Sequence, residues 1–232
     1  MKSSQRIIGI IQARMGSTRL PNKMLLHLHG FPIIEWVIRR VMQSNDLDDI
    51  VVAIPDTAKN DVLNHFLKKK LNVNVYRGTE EDVLNRFLCA AQLLNATHVV
   101  RICADNPLVS GSVIDELIRF YFKSFCDYAY NQGDNGKTNN YPDGFGAEIV
   151  SFELLKWLEV NTTEKRHREH CLSYISDNPN QFTNKTFNSP DERIARPWLK
   201  LDLDTYEDYM DLMLKDFKID SSPLDIVQLF SE

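Results

Sequence analysis

The 232-residue sequence lacks any hydrophobic run that could cross a membrane. No stretch of 18 consecutive apolar residues occurs in it, whereas about 20 are needed to span a bilayer as a helix. The apolar stretch that follows residues 1–6 is too short for the core of a signal peptide. These absences predict that the protein has no membrane partner and works in the cytoplasm.

Cysteine is scarce and unpaired along the chain. The four cysteines are Cys89, Cys103, Cys126 and Cys171. No two of them form a CxxC pair, which argues against the common cysteine-based zinc and redox motifs. We therefore expect free thiols in a reducing compartment.

An excess of positive charge is absent as well. The chain has 27 lysines and arginines against 32 aspartates and glutamates, a net charge of −5 and an isoelectric point near 5.7. This balance argues against a general nucleic-acid binder. Hydrophobic residues make up 43% of the chain, which is enough for a packed core. Any anion that the protein binds must therefore be held at a local site.

Several well-known site motifs are missing. The sequence contains no Walker A loop, no GxGxxG fingerprint and no GxSxG element. His167 and His170 stand three apart on a predicted helix, but the HExxH order is absent, which disfavours a zinc site. His27 and His29 flank a predicted turn, and we expect them at the surface.

The first half of the sequence alternates buried strands with helices. Apolar runs predict strands at 6–11, 49–55, 74–76 and 98–105. Helical spacing predicts helices at 32–44, 60–70, 81–94 and 112–122. This alternation predicts an α/β fold with a mostly parallel sheet and helices on both faces. Ligands of such sheets bind outside the carboxyl ends of the strands.

The second half of the sequence is less regular. Residues 131–146 are rich in Asn, Gly, Asp and Pro, which predicts an irregular excursion rather than a linker. The further predicted elements are a strand at 148–151, a helix at 166–176, a strand at 198–204, and helices at 206–217 and 224–230. We interpret residues 1–232 as one domain.

The loop after the first predicted strand is basic. Its sequence, IIQARMGSTRLPNK (residues 10–23), places Arg14, Arg19 and Lys23 around Gly16 and two hydroxyl residues. A loop with successive backbone N–H groups and several cations suits a polyphosphate. The alternative is a solvated surface loop that is merely basic.

Three aspartates follow or end predicted strands. Asp105 comes directly after a buried strand, where a carboxylate would suit Mg²⁺. Its alternative role is that of a turn or helix N-cap residue. Asp202 and Asp204 are two apart in a predicted strand and would share one face. The alternative there is helix capping, with Thr205 or Asp204 as the cap.

Taken in order, these segments resemble one family. QARMGSTRLPNKML is similar to the N-terminal signature of the cytidylyltransferases grouped with the spore-coat polysaccharide biosynthesis protein F, relatives of the Kdo and acylneuraminate cytidylyltransferases. The resemblance continues through YRGTEEDVLNRF (76–87), RICADNPLV (101–109), YPDGFGAEIVS (141–151), REHCLSYISDNP (168–179) and LKLDLDTYEDY (199–209). It implies a nucleotide-diphospho-sugar transferase-like fold over nearly the whole chain.

The resemblance also implies roles for individual residues. Arg14 and Lys23 would be the catalytic cations, and Asp105 and Asp204 the ligands of Mg²⁺, with Mn²⁺ as a substitute. The nucleotide would be bound by Gln12, Ala13, Gly16, Ser17, Thr18, Arg19, Gly78, Thr79, Asp82 and Arg86. The acceptor pocket would be lined by Tyr141, Asp143, Glu148 and Glu169. Asp202 stands in reserve as a metal ligand.

The chain departs from the usual family pattern near these residues. Ala104 precedes the first metal-type aspartate, where the family usually has glycine or a similar small residue, and Tyr206 follows Asp204 and Thr205, where the family usually has proline. The segment GFGAE also differs from the family's more common acceptor motif. These departures leave the acceptor open.

The expected activity is transfer of CMP from CTP to a small acidic sugar-like acceptor, such as a nonulosonic or Kdo-like acid, with release of pyrophosphate. One alternative is CTP-dependent transfer to a sugar or polyol phosphate, which gives a CDP-product. A second is a non-catalytic nucleotide-binding protein. The resemblance further implies a homodimer formed through an excursion at about 127–150, and no nucleic-acid partner.

Overall fold

A seven-stranded sheet lies at the centre of the computed structural model, which describes residues 5–133 and 136–231. The strands are β1 (Ile7–Gln12), β2 (His27–Leu28), β3 (Phe31–Pro32), β4 (Asp49–Pro55), β5 (Asn74–Gly78), β6 (His98–Cys103), β7 (Tyr128–Tyr130), β8 (Glu148–Ser151) and β9 (Asn184–Thr186). Strands β2 and β3 form a separate small hairpin. The sheet order is β5-β4-β1-β6-β8-β7-β9.

Parallel pairing dominates this sheet. The pairs β4–β5, β1–β4, β1–β6 and β7–β9 are parallel, and only β8 runs antiparallel to its neighbours β6 and β7. Gln12, the last residue of β1, lies beside Ala53 of β4 and Cys103 of β6. The carboxyl ends of these strands therefore meet at one edge. The predicted mostly parallel α/β fold is confirmed.

Helices cover both faces of the sheet. They are α1 (Ile33–Val41), α2 (Asp61–Phe66), α3 (Val83–Leu93), α4 (Gly111–Ser124), α5 (Phe152–Asn161), α6 (Lys165–Glu169), α7 (Ser173–Asp177), α8 (Tyr206–Leu214) and α9 (Pro223–Ser231). Residues of α1 and α4 form one apolar cluster with Ile7 and Ile11 of β1. Residues of α3 and α5 form a second with Ile8 and Ile10. Alternation along β1 thus sends neighbouring side chains into opposite layers.

The strand predicted at 198–204 is wrong. Leu201 and Leu203 are buried as the alternation predicted, but the segment joins no sheet. Its backbone is paired with loops instead, because Leu201 N donates to Asp143 O at 3.0 Å and Leu203 N donates to Asp105 O at 2.7 Å. The segment is therefore an extended strap that closes over the carboxyl edge of the sheet.

Other boundaries in the second half also differ. The helix predicted at 166–176 is two short helices, α6 and α7, because His170 leaves helical geometry at φ −101° and ψ 74°. The helix predicted at 206–217 ends at Leu214. Strands β7 and β9 are only three residues long, and neither they nor α5 were predicted. Residues 134 and 135 of the predicted excursion lie outside the described residues.

The structure also bears on two sequence observations, the lack of a long apolar run and the unpaired cysteines. No helix among them combines the length and apolar character needed to cross a bilayer. All four cysteines are free thiols, and burial raises the pKa of Cys103 to about 12 and that of Cys171 to about 11. Neither buried thiol is therefore poised as a thiolate near neutral pH.

Candidate active site

A cavity of about 390 Å³ opens at the carboxyl edge of β1 and β6. Its lining residues are Gln12, Ala13, Arg14, Ser17, Thr18, Arg19, Lys23, Met24, Glu80, Glu81, Val83, Arg86, Arg101, Cys103, Ala104, Asp105, Lys165, Glu169, His170 and Asp204. The basic loop after β1 and the two aspartates of the metal prediction thus share one cavity. This is the position where ligands of parallel α/β sheets bind.

Lys23 lies at the meeting point of the loop and the two aspartates. Its side chain is buried, although it sits in a connecting loop. The Lys23 ammonium donates to the carbonyl oxygen of Leu203 at 2.6 Å, and Nζ lies 3.3 Å from Asp204 Oδ1 and 3.8 Å from Asp105 Oδ2. Arg19 Nη1 lies 2.8 Å from Asp204 Oδ2. The cationic loop is therefore tied to the strap that carries Asp204.

Helix α8 is capped without the help of Asp204. Thr205 is the N-cap and forms a capping box with Asp208, whose carboxylate accepts from the backbone of Thr205 and of Asp204. The side chain of Asp204 is left to face Arg19 and Lys23 in the cavity. Of the two capping alternatives, the structure realises the one with Thr205.

Asp202 lies beside this cluster, and few polar partners compensate the negative charge of its carboxylate. Its Oδ1 is buried without a hydrogen bond, and the Lys200 ammonium is 3.9 Å away. Burial, together with the nearby carboxylates of Asp143 and Asp204, raises the pKa of Asp202 to about 6. The strap therefore carries a concentration of negative charge that a cation would relieve.

The donor set suits a hard divalent cation shared with a ligand. Among the described residues, no three His, Cys, Asp or Glu side chains group closely enough to hold a metal alone. Mg²⁺ commonly uses only one or two carboxylates together with substrate phosphates and water. Asp105 and Asp204 supply two such carboxylates in one cavity, so the residues present fit Mg²⁺ bound with a polyphosphate.

The segment from Gly78 to Arg86 forms another wall. Arg86 lines the cavity and is buried, and its guanidinium donates to the carbonyl oxygens of Thr79 at 2.5 Å and Glu80 at 3.3 Å. Burial lowers the pKa of Arg86. A Cβ at Gly78 would lie 2.9 Å from the Tyr76 ring, so a larger residue there would force the Tyr76 side chain to shift. Gly78 and Thr79 thus do not line the cavity themselves but contact Arg86, which does.

Asp82 works as a structural anchor in this wall. It is the N-cap of α3 and accepts from Asn85 N at 3.0 Å. The same carboxylate forms an ion pair with Arg168, which also pairs with Glu159 at 2.9 Å. Asp82 therefore joins the start of α3 to the α5–α6 region, and it does not line the cavity.

The four residues predicted for the acceptor are dispersed. Glu169 lines the cavity, while Asp143 lies beside the strap. Tyr141 is fully buried, and its hydroxyl donates to Glu116 Oε2 at 2.6 Å. Glu148 does not line the cavity.

Glu148 contacts Arg101, a residue of the cavity that was not predicted from the sequence. It is paired in register with Arg101 across β6 and β8, forms an ion pair with that guanidinium and accepts from the Tyr128 hydroxyl. Arg101 lines the cavity, and its Nε is buried without a hydrogen bond. An arginine inside the apolar run HVVRICAD was the signal that could have revealed it, because a charge in a buried strand needs a partner.

Eight further lining residues were not predicted: Met24, Glu80, Glu81, Val83, Cys103, Ala104, Lys165 and His170. Lys165 and His170 belong to the run KRHREH, whose histidines suggested at most a zinc site and whose basic residues, Lys165 among them, left a phosphate acceptor possible. His167 of that run points elsewhere, since its Nδ1 lies 2.9 Å from Ser173 Oγ. Of the predicted loop residues, Gly16 alone does not line the cavity.

The chain matches known cytidylyltransferases along most of its length. A family model described as cytidylyltransferase matches residues 8–224. The spore coat polysaccharide biosynthesis protein SpsF of Bacillus subtilis is 34% identical over 88% of this chain and 83% of its own length. The 3-deoxy-manno-octulosonate cytidylyltransferase of Bdellovibrio bacteriovorus is 32% identical over 50% of this chain and 46% of its own.

A solved structure agrees with these sequence matches. A cytidylyltransferase from Leptospira borgpetersenii superposes with a TM-score of 0.86 at 28% identity, covering 98% of this chain and 94% of that one. Both the sequence and the fold around the cavity are thus those of one enzyme family. The protein belongs to the cytidylyltransferase family.

Proposed function

We propose that the protein transfers CMP from CTP to a sugar acid and releases pyrophosphate, as a step in surface glycan biosynthesis. The observation that carries this proposal is the convergence of Arg19, Lys23, Asp105 and Asp204 in one cavity. A triphosphate needs both cations and a metal-binding acid pair, and these four side chains line one cavity.

In the proposed reaction, an acceptor oxygen attacks the α-phosphorus of CTP. The new bond joins that oxygen to phosphorus, and the bond from the α-phosphorus to the bridging oxygen breaks, so that pyrophosphate leaves. Arg14 and Lys23 would stabilise the charge that grows on the phosphate oxygens, because preorganised cations cost no reorganisation during reaction. Ser17, Thr18 and Arg19 would hold the remaining phosphate oxygens, and Gln12, Ala13 and Arg86 the nucleoside.

Mg²⁺ would be held by Asp105 and Asp204. When bound, such an ion polarises phosphate oxygens and lowers the pKa of an attacking hydroxyl. Asp202 lies on the same strap, where its uncompensated carboxylate adds to the attraction for a cation. Lys23, which contacts both aspartates, orients them toward the position of the triphosphate.

An acidic acceptor is supported by the cavity cations that lie outside the basic loop. Arg101, Lys165 and His170 line it and come from elements other than the basic loop. Arg101 has donors beyond those engaged by Glu148, since Nε has no hydrogen-bond partner. A guanidinium suits a planar carboxylate through paired hydrogen bonds. The named activity of the Bdellovibrio relative, which acts on 3-deoxy-manno-octulosonate, fits the same class of acceptor.

The test is pyrophosphate release from CTP against a panel of nonulosonic acids, Kdo-like acids, and sugar and polyol phosphates, with products identified by mass. A CMP-linked sugar acid would support the proposal. A CDP-product from a sugar phosphate would replace it with the alternative reaction, and CTP binding without turnover on any acceptor would indicate a non-catalytic protein. The Lys156→Met variant is a matched control, because Lys156 pairs with Glu153 on the exposed side of α5.

We also propose that the enzyme works in the cytoplasm as a homodimer that pairs through the region of about 127–150. The support for this is the resemblance to the family. Sedimentation equilibrium of the purified chain would give a monomer mass if the proposal is wrong.

A further inference from the structure

Asn60 lies at the start of α2, a position where asparagine commonly caps its own helix. Within the described part of the chain, its side chain makes no such capping hydrogen bond. Asn60 Oδ1 accepts instead from the backbone N–H of Met15 at 2.9 Å, 45 positions earlier in the chain. Asn60 is only 1% exposed. A residue suited to capping α2 thus contacts the basic loop.

The turn that carries Asn60 is itself held by β5. Arg77 Nε lies 2.8 Å from Asp56 Oδ1, and Arg77 Nη1 lies 2.7 Å from Asp61 Oδ1, so the guanidinium bridges the two ends of the turn. It also donates to the carbonyl oxygen of Thr57 at 3.1 Å. The Thr57 hydroxyl accepts from Asn60 Nδ2 at 2.9 Å, which fixes the direction of the amide. The amide oxygen is therefore held in place for Met15.

The contact holds the basic loop just before its phosphate-binding part. Ala13 N donates to Ala53 O at 3.2 Å, which extends the pairing of β1 with β4, and Asn60 holds the chain two residues further on. In the described part of the chain, the backbone N–H groups of residues 16–19 donate no hydrogen bond. They are available to an anion, as successive N–H groups of an anion-binding loop are.

We infer that Asn60 is a positioning residue for the nucleotide, one that holds the basic loop in the conformation that receives the phosphates without contacting them. Among the described residues that line the cavity, none belongs to the turn at 56–61. A loop that is ordered before the ligand arrives binds more tightly, because the apparent Kd rises as the binding conformation becomes rarer. The inference rests on the proposed function for the identity of the nucleotide, and it adds a residue from outside the cavity.

Two substitutions of Asn60 separate its hydrogen bond from its volume. Asn60→Leu keeps a side chain of similar size but has no acceptor for Met15 N. Its Kd for CTP should rise about fivefold, the factor that one net hydrogen bond contributes to an equilibrium. Asn60→Asp keeps an oxygen for Met15 N, and the Thr57 hydroxyl can donate to its second oxygen. That variant should bind CTP as the wild type does.

Asp48 provides a matched control at the other end of β1. Its Oδ2 accepts from the backbone N–H of Ile7 at 2.8 Å, so it too holds a flank of β1 by one side-chain oxygen. The length of this six-residue strand, about 20 Å, separates that contact from the basic loop. Asp48→Ala should therefore leave the Kd for CTP at the wild-type value.

The experiment is isothermal titration calorimetry of the full chain with CTP in a buffer that contains Mg²⁺, without any acceptor. Hydrogen–deuterium exchange of the same proteins without nucleotide would report on the loop itself. Asn60→Leu should show weaker CTP binding and faster exchange of the Met15 amide, and Asn60→Asp should show neither. A merely structural role for Asn60 would lower the melting temperature of Asn60→Leu and leave its Kd for CTP unchanged.

The inference is overturned if folded Asn60→Leu binds CTP as tightly as the wild type, if Asn60→Asp binds it as weakly as Asn60→Leu, or if Asp48→Ala weakens binding equally. If Asn60→Leu does not fold, Thr57→Val decides the matter, because it removes the hydroxyl that orients the Asn60 amide. A smaller rise in the Kd for CTP is then expected, and no rise would overturn the inference.

Failure of the proposed function would give a different result. A wild-type protein that binds no CTP would refute that function, and inorganic tripolyphosphate would then replace CTP as the probe of the basic loop. Weaker tripolyphosphate binding by Asn60→Leu, with wild-type binding by Asp48→Ala, would still support the positioning role of Asn60. Equal binding by all three proteins would overturn it.

Discussion

Two regions border the cavity: the loops that follow β1 and β6, and the irregular region made of residues 131–146 and the strap at 198–204. Their polar side chains have different contacts. On the loop side, Arg19, Lys23 and Asp105 face the cavity and contact groups across it. On the other side, Tyr141 and Glu148 are occupied by partners inside the protein. The comparison teaches that the charged groups after the parallel strands reach the cavity, whereas on the irregular side Asp204 reaches it while Tyr141 and Glu148 hold the wall in place.

Substitution of Asp105 or Asp204 should give the largest loss of activity. We expect Asp105→Asn and Asp204→Asn each to remove most activity, by about 10³-fold, because each would lose half of the proposed metal-binding pair. The double variant should be little worse than either, since residues that act as one unit are not additive.

Steady-state assays with CTP and an accepted acceptor would measure this, together with removal of the metal by EDTA and recovery with Mg²⁺ or Mn²⁺. If Asp204→Asn retained more than a tenth of the activity, Asp204 would not be a ligand of the proposed metal. Asp202→Asn would then be the next variant to assay.

Lys23→Ala should lower turnover by about 10²–10³-fold, the scale for loss of one preorganised donor. It should also lower the melting temperature, because a buried ammonium that holds Leu203 O is lost and Asp204 loses a partner. Differential scanning calorimetry beside turnover measurements would show both effects. An exposed loop lysine would instead show the kinetic loss with an unchanged melting temperature.

In β6, Arg101→Lys should change the KM for the acceptor and leave the KM for CTP unchanged. We expect the KM for the acceptor to rise about tenfold, because lysine keeps the charge but loses the fork that suits a carboxylate. The KM for CTP should stay near that of the wild type. Equal rises in both constants would show that Arg101 supports the whole cavity rather than the acceptor.

Tyr141→Phe should affect stability more than kinetics. The variant removes a buried hydroxyl that donates to Glu116, and loss of one such hydrogen bond costs about 1 kcal/mol. Urea unfolding would measure the change. A rise in the acceptor KM without a loss of stability would contradict the structural role and restore Tyr141 to the acceptor pocket.

The smallest expected effect is a change in melting temperature on substitution of Glu116, which accepts the hydrogen bond from Tyr141. Burial raises the pKa of Glu116 above its ordinary 4.5, so the ionised carboxylate destabilises the folded state. This penalty is fully present above the raised pKa and disappears as the pH falls below 4.5. Glu116→Gln should therefore raise the melting temperature slightly at pH 7.5 and leave it unchanged at pH 4. A gain of equal size at both pH values would rule out the ionisation as its cause.

The sequence predicted the parallel half of the fold well for a physical reason. Strands buried on both faces, such as β1, β4 and β6, read as continuous apolar runs that few other structures produce. The loops after them could be placed at one edge without knowledge of any contact. The charged members of those loops were therefore predicted to lie together, and the structure places Lys23 within 3.8 Å of Asp105 and 3.3 Å of Asp204.

The irregular half could not be predicted in the same way. The alternation in WLKLDLD indicates which leucines are buried, but not whether a sheet edge is free to receive them. Strands of three residues, such as β7 and β9, carry too few residues for a periodic signal. Arg101 needed a partner from β8, 47 positions away, and that pairing exists only once the sheet has formed.

The tie between Lys23 and Leu203 has a consequence for how the protein is made. These residues are 180 positions apart, and contacts so distant in sequence form late because a long loop must close first. A ribosome releases the basic loop well before the strap has been synthesised. The growing chain therefore carries a basic loop without its aspartate partner from the strap, and the cavity is complete only after the strap has emerged and closed over the sheet.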